Sequence, residues 1–321
     1  MAGYLARRLL EGAIVLAVVS LLVFVGVYAI GDPVSLLLSP DASAETEAEL
    51  RRSMGLDRPL WAQYGVFVGN LFQGDFGQSF SYRQDAMDVI LARLPATLEL
   101  AFAAILIAVV VGVPLGLLAG AFPHSPLDRG LVTASILGFS MPTFMVGLAL
   151  ILVFSVWLGW LPSTGRGEVG PFLGISSSLF TIDGLRHVLL PALNLALFPM
   201  AFVIRLTRSG MIEAMDLDFV RFARAQGHPD GWIIRHHVLK YIAIPIVTVV
   251  GMQFGLLIAF AVVTESIFAW PGVGRLIIEA IQELDRPLVV AYIMVVVTLF
   301  VAINILVDLL YSVLDPRVRP G

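Results

Sequence analysis

Residues 213–245 read EAMDLDFVRFARAQGHPDGWIIRHHVLKYIAIP, and this stretch decides how the rest of the chain is read. It is the longest polar break between the later apolar runs. It carries Arg221, Arg224, Arg235 and Lys240, the adjacent pair His236 and His237, and the acids Glu213, Asp216, Asp218 and Asp230. Phe219, Phe222, Ala223 and Gln226 fall at helical spacing, with Arg221 and Arg224 beside them. Gly227 followed by His228-Pro229 ends that short helix. A second helix is predicted from roughly Trp232 to Lys240. Two short helices joined at a glycine make a compact knob, shaped to dock in a groove on a partner outside the membrane.

Composition sets the frame for that knob. The chain has 321 residues, of which 58% are hydrophobic and 14% charged. The mean hydropathy is +0.91. These values mark an integral membrane protein. The formal charge of −4 is segregated along the chain, and no basic stripe points to nucleic acid. There are no cysteines, which excludes disulfides and thiolate metal sites. Lys240 is the single lysine and no phosphate-binding G-x-x-x-x-G-K-[ST] loop exists, so ATP is not held that way. The five histidines, His124, His187, His228, His236 and His237, form no metal-ligand pattern.

Outward from the loop, six spans are expected: Gly12–Ile30, Leu100–Phe122, Leu131–Pro162, His187–Ile204, Tyr241–Thr264 and Pro287–Val307. Pro142 is expected to kink the third. Gly112, Gly116 and Gly120 recur every four residues in the second and permit close helix packing. The first span is too long for a signal-peptide core, and Ala42-Ser43-Ala44 lies well beyond it. The expected division is residues 1–30 as N-terminal segment and first span, 31–96 as a small helical extracytoplasmic lobe, and 97–321 as a five-helix core with the loop at 208–240. Within the lobe, Gly31-Asp32-Pro33 reads as a turn and Trp61–Phe72 as an amphipathic helix, with Trp61, Tyr64, Phe67, Val68 and Leu71 on one side. Asp85–Leu94 reads as a helix leading to the membrane.

Basic residues in the short loops and tails favour one side. Arg7, Arg8, Arg129, Arg205, Arg208, Arg221, Arg224, Arg235, Lys240, Arg317 and Arg319 share it, against Arg166, Arg186, Arg275 and Arg286 on the other. Both termini and the knob are therefore expected in the cytoplasm, and the lobe outside. Ionisable groups near span ends are Glu99, Glu265 and Asp308. Glu265 is the favoured functional one, because it precedes a turn and can shape an outer gate or meet a peptide amine. Asn194, Gln253 and Asn304 suit interhelical hydrogen bonds.

The run Arg221-Phe222-Ala223-Arg224-Ala225-Gln226-Gly227, with Arg235-His236 and Pro245 after it, resembles the EAA loop of ABC-importer permeases. In the dipeptide/oligopeptide/nickel subfamily that loop commonly reads R-x-A-R-A-x-G. Arg221 stands where the wider superfamily has an acid, so no salt bridge from that acid carries over. The ordered motifs GDP (31–33), GLDRPLWAQY (55–64), GDFGQSF (74–80), RLPATLEL (93–100) and FAWPGVG (268–274) resemble the first permease subunit of that subfamily. The resemblance covers nearly the whole chain.

It implies an all-α inner-membrane permease of six spans that catalyses no bond chemistry and holds no cofactor. ATP and Mg would be bound by two partner ATPase subunits. A second homologous permease, an extracytoplasmic binding protein and membrane lipid complete the partners. The coupling loop would comprise Phe219, Arg221, Phe222, Ala223, Arg224, Ala225, Gln226, Gly227, Arg235 and His236, with Phe219, Phe222 and Ala223 seated in an ATPase groove. Met141 and Phe144 resemble a kink near the pathway, and Glu265, Phe268 and Trp270 a candidate outer gate. Substrates in the subfamily include peptides, glutathione-like compounds, nickel chelates and some sugars, with peptide the commonest. Two other classes fit less well. An intramembrane serine protease would use Gly138-Phe139-Ser140-Met141 and needs a deep base, which His187 at a span mouth does not offer. An ion-coupled transporter would want midplane acids and inverted repeats, and neither is found.

Overall fold

The computed structural model describes residues 2–29, 43–53, 56–172 and 174–314. The turn expected at Gly31-Asp32-Pro33 and the basic tail at Arg317 and Arg319 lie outside them. The described residues are mostly helical, with one short hairpin and an isolated bridge between Gln78 and Asp85. Helix α1 (Ala2–Ala29) is followed by α2 (Ala44–Ser53), α3 (Leu60–Gln73) and α4 (Ala86–Ala121). Then come α5 (Pro126–Ser140) and α6 (Thr143–Leu150), the latter extended by a π-helical segment, Ile151–Trp157. Strands β1 (Gly170–Phe172) and β2 (Ile175–Ser177) pair antiparallel. The rest is α7 (Ile182–Met215), α8 (Asp218–Ala225), α9 (Asp230–Ile233), a π-helical segment Ile234–Val238, α10 (Leu239–Phe260), α11 (Val262–Ile267), α12 (Val273–Gln282) and α13 (Arg286–Leu314).

Among the described residues, five helices are long and apolar enough to cross a membrane, and six spans result if one bent pair counts as a single span. That pair is the expected third span. Its halves, Pro126–Gly138 and Thr143–Trp157, meet at 106°, far sharper than a proline kink. The cause is local. Pro142 has no N–H and forces the residue before it out of the helical region, and Met141 accordingly sits at φ −80°, ψ 134°. A second difference concerns the boundary expected at residue 96. It falls inside α4, which runs unbroken for 36 residues through Pro95, so the helix expected at Asp85–Leu94 is the start of the second span. Likewise the second helix of the loop runs without a gap into the fifth span, over Asp230–Phe260.

The chain divides into two compact units. One contains Arg93–Ile278 and the residues from Leu299 onward, and the other contains Ala2–Ala92 and Glu279–Thr298. In the first, small side chains let helices approach closely. Ala96, Leu100, Ala101, Ala104 and Ala108 of α4 form a core with Val188, Ala192 and Ala196 of α7 and with Leu257, Ile258 and Trp270. The glycine stripe continues this contact. A Cβ at Gly116 would stand 2.6 Å from Thr207 Cβ, and one at Gly120 2.6 Å from Met211 Cβ. These glycines serve packing against α7 within the chain.

In the second unit, α3 lies against α1. Ser20 Oγ and Tyr64 Oη are 2.9 Å apart, and Phe24 meets both Tyr64 and Phe67. Val23, Val290 and Met294 are the buried centre of this cluster, with Phe67, Leu71 and Phe76 around it. Tyr64, Phe67 and Leu71 thus form the packed side of α3. Trp61, expected among them, is instead 78% exposed. Asp285 closes the start of α13, accepting from Ser79 Oγ, from Ser81 N at 3.0 Å and from Leu288 N at 3.3 Å.

Candidate functional site

The loop begins where α7 ends at Met215, and Leu217 turns the chain into α8. This eight-residue helix is capped at its far end by Gly227, at φ +86°. Gly227 N donates to Arg224 O at 2.9 Å and His228 N to Ala223 O at 3.2 Å. This pair of bonds is the Schellman closure, which favours glycine because an L side chain is strained there. The helix does not present one apolar side. Val220 and Ala223 sink into a core made by Met211, Ala214, Ile233, Val238, Ile242 and Ile246. Ala223 is only 3% exposed, and Phe219 packs against the same core, with its ring 6.0 Å from that of Tyr241. Phe222 points away and is 66% exposed. The expectation that Phe219, Phe222 and Ala223 share one free side is therefore corrected by the packing. Ala223 and Phe219 hold the helix to its own chain, and Phe222 stands out.

The charges around Phe222 are partly tied. Arg224 Nε donates to Asp230 Oδ1 at 2.9 Å, which braces α8 against α9. Arg221 lies 3.6 Å from Asp218 and stays exposed, as do Ala225, Gln226 and Arg235. His228 and His236 stack on Trp232, with ring centres 4.0 and 4.4 Å away and planes tilted by 15° and 22°. Two rings so close and so nearly parallel to one indole occupy its opposite faces, so a three-ring stack stiffens the knob. The protein therefore offers a rigid, self-supported element with a protruding phenylalanine and a cationic rim.

At the other end of α10 the chain makes the turn that carries FAWPGVG. Glu265 is wholly buried. Its Oε1 accepts from Thr97 Oγ1 at 2.6 Å and its Oε2 from Arg275 N at 2.9 Å, with Gly274 N as a further donor. Thr97 Oγ1 in turn accepts from Val273 N at 2.9 Å. The carboxylate and Thr97 thus receive the free N–H groups at the start of α12 and fix it to α4. A Cβ at Gly272 would collide with the carboxylate, so only glycine fits this approach. Burial pushes the Glu265 carboxyl above the ordinary carboxylate range, and the bonds from Thr97, Arg275 and Gly274 oppose that shift. Phe268 and Trp270 are buried as well, with Trp270 Nε1 donating to Ala96 O at 2.9 Å. Met141 and Phe144 are exposed at the break between α5 and α6 and are not gathered with these three.

Three features escaped sequence reasoning. Thr97 is one. Another is the pair of bonds from Arg208 to Asp128, with Nε on Oδ1 and Nη2 on Oδ2 at 2.8 Å, which ties α5 to α7. The third is the set of partners of Glu99, a residue expected near a span end, which accepts from Arg166 Nη2 at 2.7 Å and from Ser177 Oγ at 3.0 Å. Each joins residues at least 67 positions apart, and nothing local in the sequence signals such a partner. Asn194 makes its expected interhelical bond, to Thr264 Oγ1 at 2.9 Å.

Long apolar helices interrupted by a braced polar loop define an integral membrane protein. Comparison with known proteins sharpens that class. The family described as binding-protein-dependent transport system inner membrane component matches residues 112–320, and its N-terminal counterpart matches residues 1–101. The chain belongs to this family, as the membrane permease of an ABC importer. It is 40% identical over 335 aligned positions to the di/tripeptide transport system permease protein DppB of Pseudomonas aeruginosa, covering 99% of both chains. It is 36% identical to the glutathione transport system permease protein GsiC of Escherichia coli K12, again covering 99% of each. Among solved structures, the MetNI methionine ABC transporter in an inward-facing conformation aligns with a TM-score of 0.56 at 16% identity, over 71% of this chain and 97% of that one. That likeness extends to the fold.

Proposed function

We propose that this chain is one of two permease subunits of an ATP-driven importer of di- and oligopeptides. It forms the path with a second, homologous permease. Two ATPase subunits bind ATP and Mg and engage the knob, and an extracytoplasmic binding protein delivers the solute. The termini and the knob face the cytoplasm, as the distribution of basic residues supports. The observation that carries the coupling role is the arrangement of α8, anchored through Val220 and Ala223 while Phe222 protrudes. A free loop would absorb an applied force, whereas a helix fixed to α7 and α10 transmits it. Closure of the ATPases then moves α8 with those spans, and differential affinity of the ATPases for the two states drives the cycle. Full-length similarity to a di/tripeptide permease supports the substrate class. Glutathione, itself a tripeptide, is a second reading favoured by the GsiC relatives.

The test is uptake by the whole complex in liposomes with ATP inside and binding protein outside. ATP-dependent accumulation of di- to pentapeptides is the expected result. Accumulation of glutathione alone would move the assignment to the second reading. Uptake of chelated nickel without peptide would retain the importer and overturn the peptide class.

A further inference from the structure

We infer that α3 (Leu60–Gln73) is an interfacial helix lying against the acyl chains of one membrane leaflet, and not part of a lobe held in water. Three observations meet in it. The first is composition: LWAQYGVFVGNLFQ has no charged residue over fourteen positions. The second is depth. On its packed side Tyr64 meets Ser20 and Phe24 of α1 and Phe67 meets Phe24, while Phe67 and Leu71 pack against a buried centre made by Val23 of α1 and by Val290 and Met294 of α13. The uncharged part of α1 runs from Gly12 to the helix end at Ala29, so Ser20 lies near its middle and Val23 and Phe24 well inside it. Val290 to Met294 likewise fall within the span of α13, Arg286–Leu309. A helix touching residues at those depths lies beside hydrocarbon.

The third observation is how the remaining surface is divided. At 100° per residue, Trp61, Gly65 and Phe72 fall in one sector, with Val68 at its margin and Val66 on the far side beside Asn70 and Gln73. Gln63, Asn70 and Gln73 fall in the next. The aromatic sector is bare, with Trp61 78% and Phe72 89% exposed. Cβ positions at Gly65 and Gly69 meet nothing within 4 Å. Trp61 and Phe72 stand about 16 Å apart along the axis, with Gly65 and Gly69 between them. The amide sector gives the helix a wet side, and an apolar side next to a polar one is how a helix settles at a membrane surface. Trp61 suits the boundary between headgroups and chains.

The cysteine-free sequence makes the test direct. Trp61→Cys, Gly65→Cys, Phe72→Cys and Gln63→Cys each carry an environment-sensitive fluorophore in the assembled complex, with partner cysteines replaced. The complex is placed in phosphatidylcholine vesicles with or without bromine on the acyl chains, and aqueous iodide is added separately. Expected is loss of emission in brominated vesicles and a blue shift at positions 61, 65 and 72, with iodide quenching confined to position 63. Gly65→Cys guards against misfolding, because its Cβ site is open. Iodide quenching at 61, 65 and 72 without bromine quenching would return α3 to water and overturn the inference. Protection from both quenchers there would mean that a protein partner covers the face, which overturns it equally.

Discussion

The loop at 213–245 and the turn at 265–275 flank the same helix, α10, and both carry charge between apolar runs. They place it in opposite ways. In the loop, Arg221, Arg224 and Arg235 are exposed and the anchoring is apolar, through Val220, Ala223 and Phe219. In the turn, the carboxylate of Glu265 is the anchor and lies inside, with backbone N–H groups and one hydroxyl converging on it. A surface that must be read by a partner keeps its charge in water, where it costs little to hold. A joint that must keep its shape at the end of a span buries its charge, which is stable only when the groups facing it are matched. The two kinds of break look alike in a hydropathy trace.

The largest effect is expected in the turn. Glu265→Ala leaves the Thr97 hydroxyl and the N–H groups of Gly274 and Arg275 without their acceptor, at about 1–3 kcal/mol for each buried orphan. The thermal midpoint of the purified complex should fall sharply, with loss of transport following from loss of structure. An unchanged midpoint would show that the turn does not depend on the carboxylate. Glu265→Gln separates shape from charge. The raised carboxyl in the folded state means that the fold holds this proton more tightly than the unfolded chain does. The resulting stability is complete below the ordinary glutamate value of 4.5 and is lost as pH rises through the elevated one. The glutamine variant lacks this slope, so the gap between the two midpoints should change across that window and level off above it. Parallel curves would break the argument.

The next effect belongs to the glycine that ends α8. Gly227→Ala forces an L side chain to φ +86° and should cost about 1 kcal/mol, without touching any charge. The measurement is again the unfolding midpoint, and a stabilised variant would mean that the cap is not held in the left-handed region.

Much of this was legible beforehand, for physical reasons that also mark where legibility ends. The spans announce themselves because lipid demands long apolar runs, and Gly227 announces the end of α8 because few other residues fit there. Pro142 signalled a break but not 106°, since proline removes a hydrogen bond without dictating where the chain goes next. Thr97 was silent, because its partner Glu265 is 168 positions away. The error over Phe219, Phe222 and Ala223 is instructive. Successive residues turn by about 100°, so the buried pair Val220 and Ala223 centres about 130° from Phe222. In an eight-residue helix with apolar groups on most of its circumference, spacing alone does not select the inner side. The depth of α3 was hidden similarly, because an amphipathic pattern describes a helix in water and a helix at a lipid surface equally well.

The smallest structural effect tests the outer face of the loop, and it is the one that separates reading from folding. Phe222→Asp changes a side chain that is 66% exposed and outside the loop core, so the unfolding midpoint should move by no more than about 0.5 kcal/mol equivalent. On the proposed coupling role, ATP-driven uptake should nevertheless collapse, because an aspartate replaces the apolar protrusion proposed to meet the ATPase. Ala223→Asp loses uptake too, but by driving a carboxylate into the core of Met211, Ile233 and Ile242, and its midpoint falls with it. A double substitution of Phe222 and Ala223 would confuse the two causes. The discriminating outcome is a stable Phe222→Asp complex whose ATPase no longer responds to loaded binding protein. If that complex still transports, Phe222 is a solvated side chain, and the contact that couples the subunits must be sought along Arg221 and Arg235 instead.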